Sequence, residues 1–288
     1  MPNPDIIKRI ILPSSAAYSF KNASALTFWN ALTTANGGVE LTGSLYGITK
    51  NELKQAIDSY FITGTADGWL VKMVAAYLFI GGTASTHALN AVAPAGANNL
   101  VFINSPTQGA TGTTFNGTTQ YATTGITPAQ MTQNNVHLSA WTSNVAHTGT
   151  VQAIWGALSG ATQRTQFLYS NIASGTMTFD AHNNTDGAGR ISSTLTGAGV
   201  FNQHWIGSRR TSTDVELYLN GVTEKTQLAG GGTEQAVNFY LAASNNAGTT
   251  ISFLNGRLHN ATIGTSLTDA EALSLYQATS ALNVILGR

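Results

Sequence analysis

The sequence predicts a mainly β protein, a β-sandwich preceded by a small α-helical N-terminal region. Three observations carry this. Apolar residues recur with a period near 3.6 up to about Gly82 and with a period of 2 beyond it. The β-rich runs after Gly82 are short, and Gly, Asn, Ser or Pro separates most of them. With 42% apolar residues in 288, the chain has enough material for a core and is neither disordered nor fibrous.

The first helix follows Ser24, with Ala25, Leu26, Phe28, Trp29 and Leu32 on one face and Asn36-Gly37-Gly38 as its stop. Thr49-Lys-Asn-Glu52 is a capping box, hydroxyl and carboxylate each satisfying a free backbone amide. It opens a helix bearing Leu53, Ile57, Tyr60 and Phe61 that ends near Gly64. Asp67 starts a third, with Leu70, Val71, Val74 and Leu78 inward and Gly81-Gly82 as terminator. Residues 1–90 are thus expected to form a helical docking or assembly region, with a domain boundary in 82–99 and a sandwich over 98–288.

Strands are expected at Leu100–Asn104, Thr119–Thr124, Val136–Ser143, Val151–Leu158, Thr165–Tyr169 and Thr176–Ala181. Further runs are Ile191–Leu195, Phe201–Ser208, Val215–Leu219, Val237–Ala242 and Ile251–Ile263. Asn220-Gly221 is the strongest hairpin signal, because a tight turn of this type needs positive φ at both central residues. Strands this short with no helix between them mean a sandwich or a barrel. Thr268-Asp-Ala-Glu271 is a second capping box, opening a last helix with Leu273, Tyr276, Leu282 and Ile285.

Charge is scarce. Thirteen basic and thirteen acidic residues make 9% of the chain, against roughly 25% in a typical domain, and they cancel. The surface must consist of Thr, Asn, Ser, Gln and Gly, and no basic run offers a footprint for nucleic acid or anionic lipid. Cysteine is absent, which excludes disulfides, thiolate metal sites and cysteine nucleophiles. Lys8 and Arg9 break the short apolar stretch at the N-terminus, unlike a secretory signal. The longest apolar run, Trp69 to Ile80, contains Lys72 and falls short of the roughly 20 residues of a membrane span. A soluble chain outside the general secretory route, with neither nucleic acid nor membrane as partner, is expected.

Catalytic groups are sparse as well. From Met73 to Gln163 there is no Asp, Glu, Lys or Arg, so a site there would rest on His87, His137, His147, hydroxyls and amides. Asp214 and Glu216 have the i, i+2 spacing of paired glycosidase carboxyls, but a strand entering a hairpin with solvated charges, after Arg209-Arg210, is the favoured account of them. No third acid accompanies them, and a glycosidase is disfavoured. Asp180, His182, Asn184 and Asp186 place ligands at alternate positions as a calcium loop does, without its central glycine and closing Glu. A hairpin turn explains the same residues without an ion. Calcium here is the one cofactor candidate. Trp141, Trp155 and Trp205 lie in β-runs, where core packing competes with stacking on a sugar ring.

The segment Phe201 to Arg288 resembles the end of a laminin-G-like, concanavalin A-type jelly roll. The resemblance is carried by His204-Trp-Ile-Gly-Ser-Arg-Arg210, Glu216-Leu-Tyr-Leu-Asn-Gly221, Phe253-Leu-Asn-Gly-Arg257, Ala261-Thr-Ile-Gly264 and Ser266-Leu-Thr-Asp-Ala-Glu271. Phe115-Asn-Gly117 with Thr119-Gln-Tyr121 resembles the family's opening strand, so the likeness covers about residues 98–288. Upstream, Leu78-Phe-Ile-Gly-Gly82-Thr-Ala-Ser-Thr-His87-Ala-Leu-Asn90 is similar to a segment of bacteriophage structural proteins. That segment usually has proline where Leu78 stands. Family jelly rolls that hydrolyse glucans carry a Glu-x-Asp-x-x-Glu strand, which is absent here.

Together these resemblances imply a non-enzymatic virion component (head fibre, decoration or tail-associated) located on the particle, with other virion proteins as partners. The alternative is a carbohydrate-binding adhesin that recognises host surface glycans. Leu26, Phe28, Trp29, Leu32, Leu53, Ile57, Phe61, Leu70, Val71, Val74 and Leu78 exceed what three short helices bury alone. A homo-oligomer is therefore expected, a trimer by analogy with phage appendages, against a monomer whose helices cover one sheet.

Overall fold

The computed structural model describes residues 17–146, 149–160, 163–171, 175–183, 189–194, 201–227, 233 and 236–288. Helix α1 (Ala23–Ala35) is capped two residues earlier than Ser24 suggests: Asn22 Oδ1 accepts from the Ser24 and Ala25 amides. Both predicted capping boxes form, at Thr49–Glu52 before α2 (Lys50–Ala66) and at Thr268–Glu271 before α4 (Asp269–Ile285). A single helical turn, α3 (Ala84–His87), lies between them. None of the described helices is long and apolar enough to cross a membrane.

The strands are β1 (Met73–Tyr77), β2 (Val101–Ile103), β3 (Thr107–Gly109), β4 (Gly112–Asn116), β5 (Tyr121–Thr123), β6 (Val136–Ser143), β7 (Gln152–Leu158) and β8 (Arg164–Asn171). They continue with β9 (Thr176–Ala181), β10 (Arg190–Thr194), β11 (His204–Thr211), β12 (Asp214–Leu219) and β13 (Val222–Gln227). The series closes with β14 (Tyr240–Leu241), β15 (Ser244–Asn246), β16 (Thr249–Ile251) and β17 (Asn255–Gly264). Sheet A has the order β13-β12-β11-β6-β17-β4-β3, and β1 pairs with the far half of β17. Sheet B has the order β10-β9-β8-β7-β14-β5-β2, with β15 alongside β7. The result is a jelly-roll β-sandwich of the concanavalin A type. Asn220 (φ 52°) and Gly221 (φ 75°) make the predicted hairpin between β12 and β13.

Alternation along each strand divides two apolar cores. Trp205 and Leu217 face sheet B, where they meet Trp155, Phe167 and Phe179, while their neighbours Ile206 and Tyr218 face outward. That outer face is covered by α1, α2 and α4 through Phe28, Trp29, Leu32, Ile57, Phe61, Leu275 and Leu282. Most of the apolar residues of the N-terminal region are thus buried against sheet A and α4. Leu26 (45% exposed) and Val71 (85% exposed) are the exceptions and do not point inward as expected.

One sequence expectation needs correction. The segment from Asp67 is not a third helix: a 3-10 turn at Leu70–Lys72 leads into β1, whose Ala75 and Tyr77 pair with Ile263 and Ala261 of β17. Residues 82–99 run between parts of the chain that share both cores. Ala75, Tyr77 and Phe79 belong to the core between the sheets, and the helices share the second core with sheet A, so the described residues 17–90 pack directly against the sandwich.

The Gly81–Asn90 segment is a set of backbone ties. Gly81 (φ 105°) and Gly82 (φ 73°) make a turn in which a Cβ at Gly81 would lie 2.5 Å from Thr86 Oγ1. The Gly82 amide donates to His87 Nε2 (3.0 Å), and His87 Nδ1–H donates to Gln108 Oε1 (2.7 Å). Asn90 accepts from the Ala76 amide and donates to the Val74 carbonyl, holding the free edge of β1.

Arg288 closes the opposite side of the same region. Burial lowers its pKa to about 10, and its guanidinium donates to the carbonyls of Leu78, Phe79, Ala110 and His259 (2.5–3.0 Å). Arg288→Ala is expected to lower the urea-unfolding free energy by about 2–4 kcal/mol, because it strands several buried carbonyls. A change under about 0.5 kcal/mol would show that water replaces the guanidinium at no cost.

Candidate functional site

Trp141 lies near the end of β6 and His204 at the start of β11, directly opposite each other on the outer face of sheet A. Tyr276 comes down from α4 to complete a cluster of three nearly parallel rings. Centroids are 5.6 Å apart for Trp141–His204, 6.0 Å for His204–Tyr276 and 5.9 Å for Trp141–Tyr276. His204 is fully buried, and among the described residues neither of its ring nitrogens has a partner. Burial pushes its pKa down to about 3, so three uncharged rings stack. Trp141 and Tyr276 remain half-buried, one side turned to solvent.

The surrounding turns are made by amides. Asn220 Oδ1 accepts from the His204 amide (3.2 Å) and its Nδ2 donates to Gln203 Oε1 (2.6 Å). Asn202 Oδ1 accepts from the Asn144 amide (2.8 Å). Gly221 lets the β12–β13 turn touch α4, since a Cβ there would lie 2.8 Å from the Tyr276 Cβ. On the other side of Trp141 stands Asn260, placed by a bulge at His259 in β17. Asn260 is 2% exposed and its amide has no partner among the described residues. An aromatic face bordered by neutral amides can stack on the apolar face of a ring and bind hydroxyls. It holds no group that titrates near neutrality.

Of the three tryptophans singled out from the sequence, only Trp141 reaches the surface. Trp155 and Trp205 are fully buried between the sheets, and Trp155 Nε1 donates to the Ser139 carbonyl (3.0 Å), so neither presents an indole to a sugar. His204 and Tyr276 were missed as site residues. The first read as part of a strand and the second as the packing face of the last helix.

Of the calcium-loop candidates, Asp180 and His182 lie among the described residues. Asp180 is fully buried, and its oxygens accept from Arg190 Nε (2.6 Å), Arg190 Nη2 (2.7 Å) and Gln166 Nε2 (2.8 Å). A carboxylate neutralised by a two-pronged guanidinium has little left for a cation. His182 stands near Thr165, while Asn184 and Asp186, like His147 and Glu234, lie outside the described residues. Among the described residues no three His, Asp or Glu side chains converge for a metal.

Asp214 and Glu216 are gathered by one cation. Arg210 contacts Asp214 (2.7 Å), Glu216 (2.9 Å) and Asp269 (2.6 Å), and the Tyr218 hydroxyl lies within hydrogen-bond reach of both Glu216 and Asp269. Burial raises the Glu216 pKa, while Arg210 lowers that of Asp269. The network fastens β11 and β12 to the N-terminus of α4, which is a positioning task.

No family model and no curated protein matches the chain. Solved structures are similar. A structure described as HCR/D-Sa-GBL1/C matches with TM-score 0.50 at 8% identity, over 73% of this chain and 52% of that one. A Ruminococcus gnavus IT-sialidase CBM40 matches with TM-score 0.43 at 14% identity, over 56% and 94%. The NanB sialidase of Streptococcus pneumoniae matches with TM-score 0.38 at 14% identity, over 51% and 24%. This chain therefore spans about half of the first and a quarter of the last. At such identities the likeness is one of fold.

Proposed function

We propose that this protein is a non-enzymatic structural component of a phage particle, whose β-sandwich is displayed outward and contacts host surface glycans. The observation that carries the glycan contact is the half-buried Trp141–Tyr276 face bordered by Asn220, Gln203 and Asn144. Neutral sugars offer the two features this surface complements, a flat apolar ring face and hydroxyls. The charge-poor composition agrees with contacts made through hydrogen bonds and stacking. The virion assignment rests on the resemblance of the Leu78–Asn90 segment, and the sequestered carboxylates Asp214 and Glu216 support a non-catalytic role.

Binding of the labelled protein to whole host cells or a glycan array tests the reading. Trp141→Ala and Tyr276→Ser are each expected to weaken binding about tenfold, the size of one lost aromatic contact. Unchanged binding in both variants would remove this face from the account. Peptides of the chain are expected in the mass spectrum of purified particles. Asp214→Asn with Glu216→Gln should lower Tm by a few degrees and leave binding intact. A glycan whose reducing ends are released by the native chain and not by that double variant would make it an enzyme.

A further inference from the structure

Beyond Trp141 the outer face of sheet A continues past the three-ring cluster. Thr114, Arg257 and Ser143 are Cα partners on the adjacent strands β4, β17 and β6, and they form one row on that face. All three are half-buried and reach solvent. Asn144, which follows Ser143, and Asn202, which accepts from its amide, are exposed. Trp141, also half-buried, stands two residues before Ser143 and hence on the same face. As a diagonal cross-strand neighbour, Arg257 lies about 7–8 Å from it between Cα atoms.

Arg257 is the cation of this row, and only part of it is engaged. Its Nε donates to Thr114 Oγ1 (3.1 Å). Among the described residues Nη1 and Nη2 have no hydrogen bond, and the guanidinium has no ion pair. Lys50, Lys54, Lys72, Arg190 and Arg210, by contrast, each hold a carboxylate. Strands β4, β6 and β17 contain neither Asp nor Glu, so nothing on them can neutralise Arg257. Behind the row His259 is 5% exposed, its Nε2 2.7 Å from Ser143 Oγ. Burial, then the charges of Arg288 and Arg257, hold its pKa down to about 4. Two guanidiniums therefore adjoin a neutral ring, a local excess of positive charge in a charge-poor chain.

We propose that the glycan met by Trp141 carries a hexuronic acid, its ring on the indole and its carboxylate in the fork of Arg257. This sugar class presupposes the Trp141 contact and adds one charge to it. Nη1 and Nη2 offer two parallel donors to a planar carboxylate, a geometry that a lysine lacks. A hexuronic acid has its carboxyl at the edge of the ring, so neighbours on one sheet face can meet the ring and the anion together. One free cation suits one acidic group on an otherwise neutral ligand, unlike a polyphosphate.

Isothermal titration of the whole chain compares cellobiouronic acid and digalacturonic acid with their methyl esters, which keep the rings and remove the charge. At least one acid is expected to bind about tenfold or more tightly than its own ester, the size of one charge-assisted contact. Arg257→Gln should bring that ratio to about one, and Arg257→Lys should recover part of it, because the charge returns without the fork. Trp141→Ala should weaken acid and ester alike, about tenfold, with the ratio kept. Thermal melts identify any variant that fails to fold, and Arg257→Lys then carries the test. Equal affinities in both pairs, or an unchanged ratio in the Arg257 variant tested, would overturn the uronate and leave the Trp141 contact standing. So would failure of all four sugars to bind a chain that still binds a neutral glycan on the array. Absence of binding to every glycan and to host cells would remove both.

Discussion

Lowering the pH from 7 to 5 is expected to remove about 7 kcal/mol of folding stability, through four buried histidines acting together. His87, His137, His204 and His259 have pKa values held down to about 3, 4, 3 and 4, with burial the largest cause at each. In the unfolded chain each titrates near its ordinary value of about 6.5. Below that pH the unfolded state takes up protons that the native state refuses. The stability is therefore complete above about pH 6.5 and drains as the pH falls towards the folded values. Each histidine contributes about 1.4 kcal/mol per pH unit in that window, so the slope approaches about 5 kcal/mol per unit.

The charges around these rings reinforce the effect. Arg288 faces both His87 and His259, and Arg257 also faces His259. Lys72 opposes the protonation of His137, while Glu271 favours it. Glu216, whose pKa burial raises, works in the other direction with a single proton. A net stability of about 5–15 kcal/mol leaves an unfolding midpoint near pH 5. Urea unfolding at pH 7, 6 and 5 measures the slope. His204→Phe, which keeps the stack, should lower the slope by about one quarter, and a wild-type slope below one proton would refute the account.

The second large effect concerns the N-terminal region. A chain starting at residue 98 is expected to give no cooperative melt, in contrast to the freely folding sandwich that the sequence suggests. Its loss strips β1 from β17 and uncovers Ile206, Tyr218 and Leu275 on sheet A and α4. Phe28, Trp29, Leu32, Leu53, Ile57 and Phe61 leave with it, each worth about 1.5–3 kcal/mol, a total on the order of 10 kcal/mol. Leu32→Ala and Ile57→Ala in the full chain grade the effect, at about 2–5 kcal/mol each. A cooperative melt of 98–288 within a few degrees of the full chain would restore the boundary.

What could be read from the sequence follows from where the physics is local. Caps at Thr49 and Thr268 and the turn at Asn220-Gly221 depend on residues within one turn of each other, and all three form. β1 was misread because both of its faces are buried. Ala75 and Tyr77 face the inter-sheet core while Met73, Ala76 and Leu78 face the helices, which erases the alternation that marks a strand. The candidate site was half legible. A tryptophan in a strand signals either core or surface, and only the covering elements decide which: the facing sheet hides Trp155 and Trp205, while α4 leaves one side of Trp141 open. Tyr276 became visible only once α4 was placed against β6 and β11.

The position of β17 has a consequence for how this chain is made. It is the last strand to be synthesised, yet it lies between β6 and β4 and also receives β1, whose Tyr77 pairs with Ala261. Until Asn255–Gly264 leaves the ribosome, sheet A exists as two unconnected groups of strands and an unpaired β1, with open edges. Growing from the N-terminus, the nascent chain cannot complete either apolar core, and loop closure over such separations is slow. Ribosome-bound chains halted before Asn255 are expected to recruit holding chaperones and to remain protease-sensitive. Extension through Gly264 would then secure several strands at once, making assembly a late, all-or-none event rather than a progressive one.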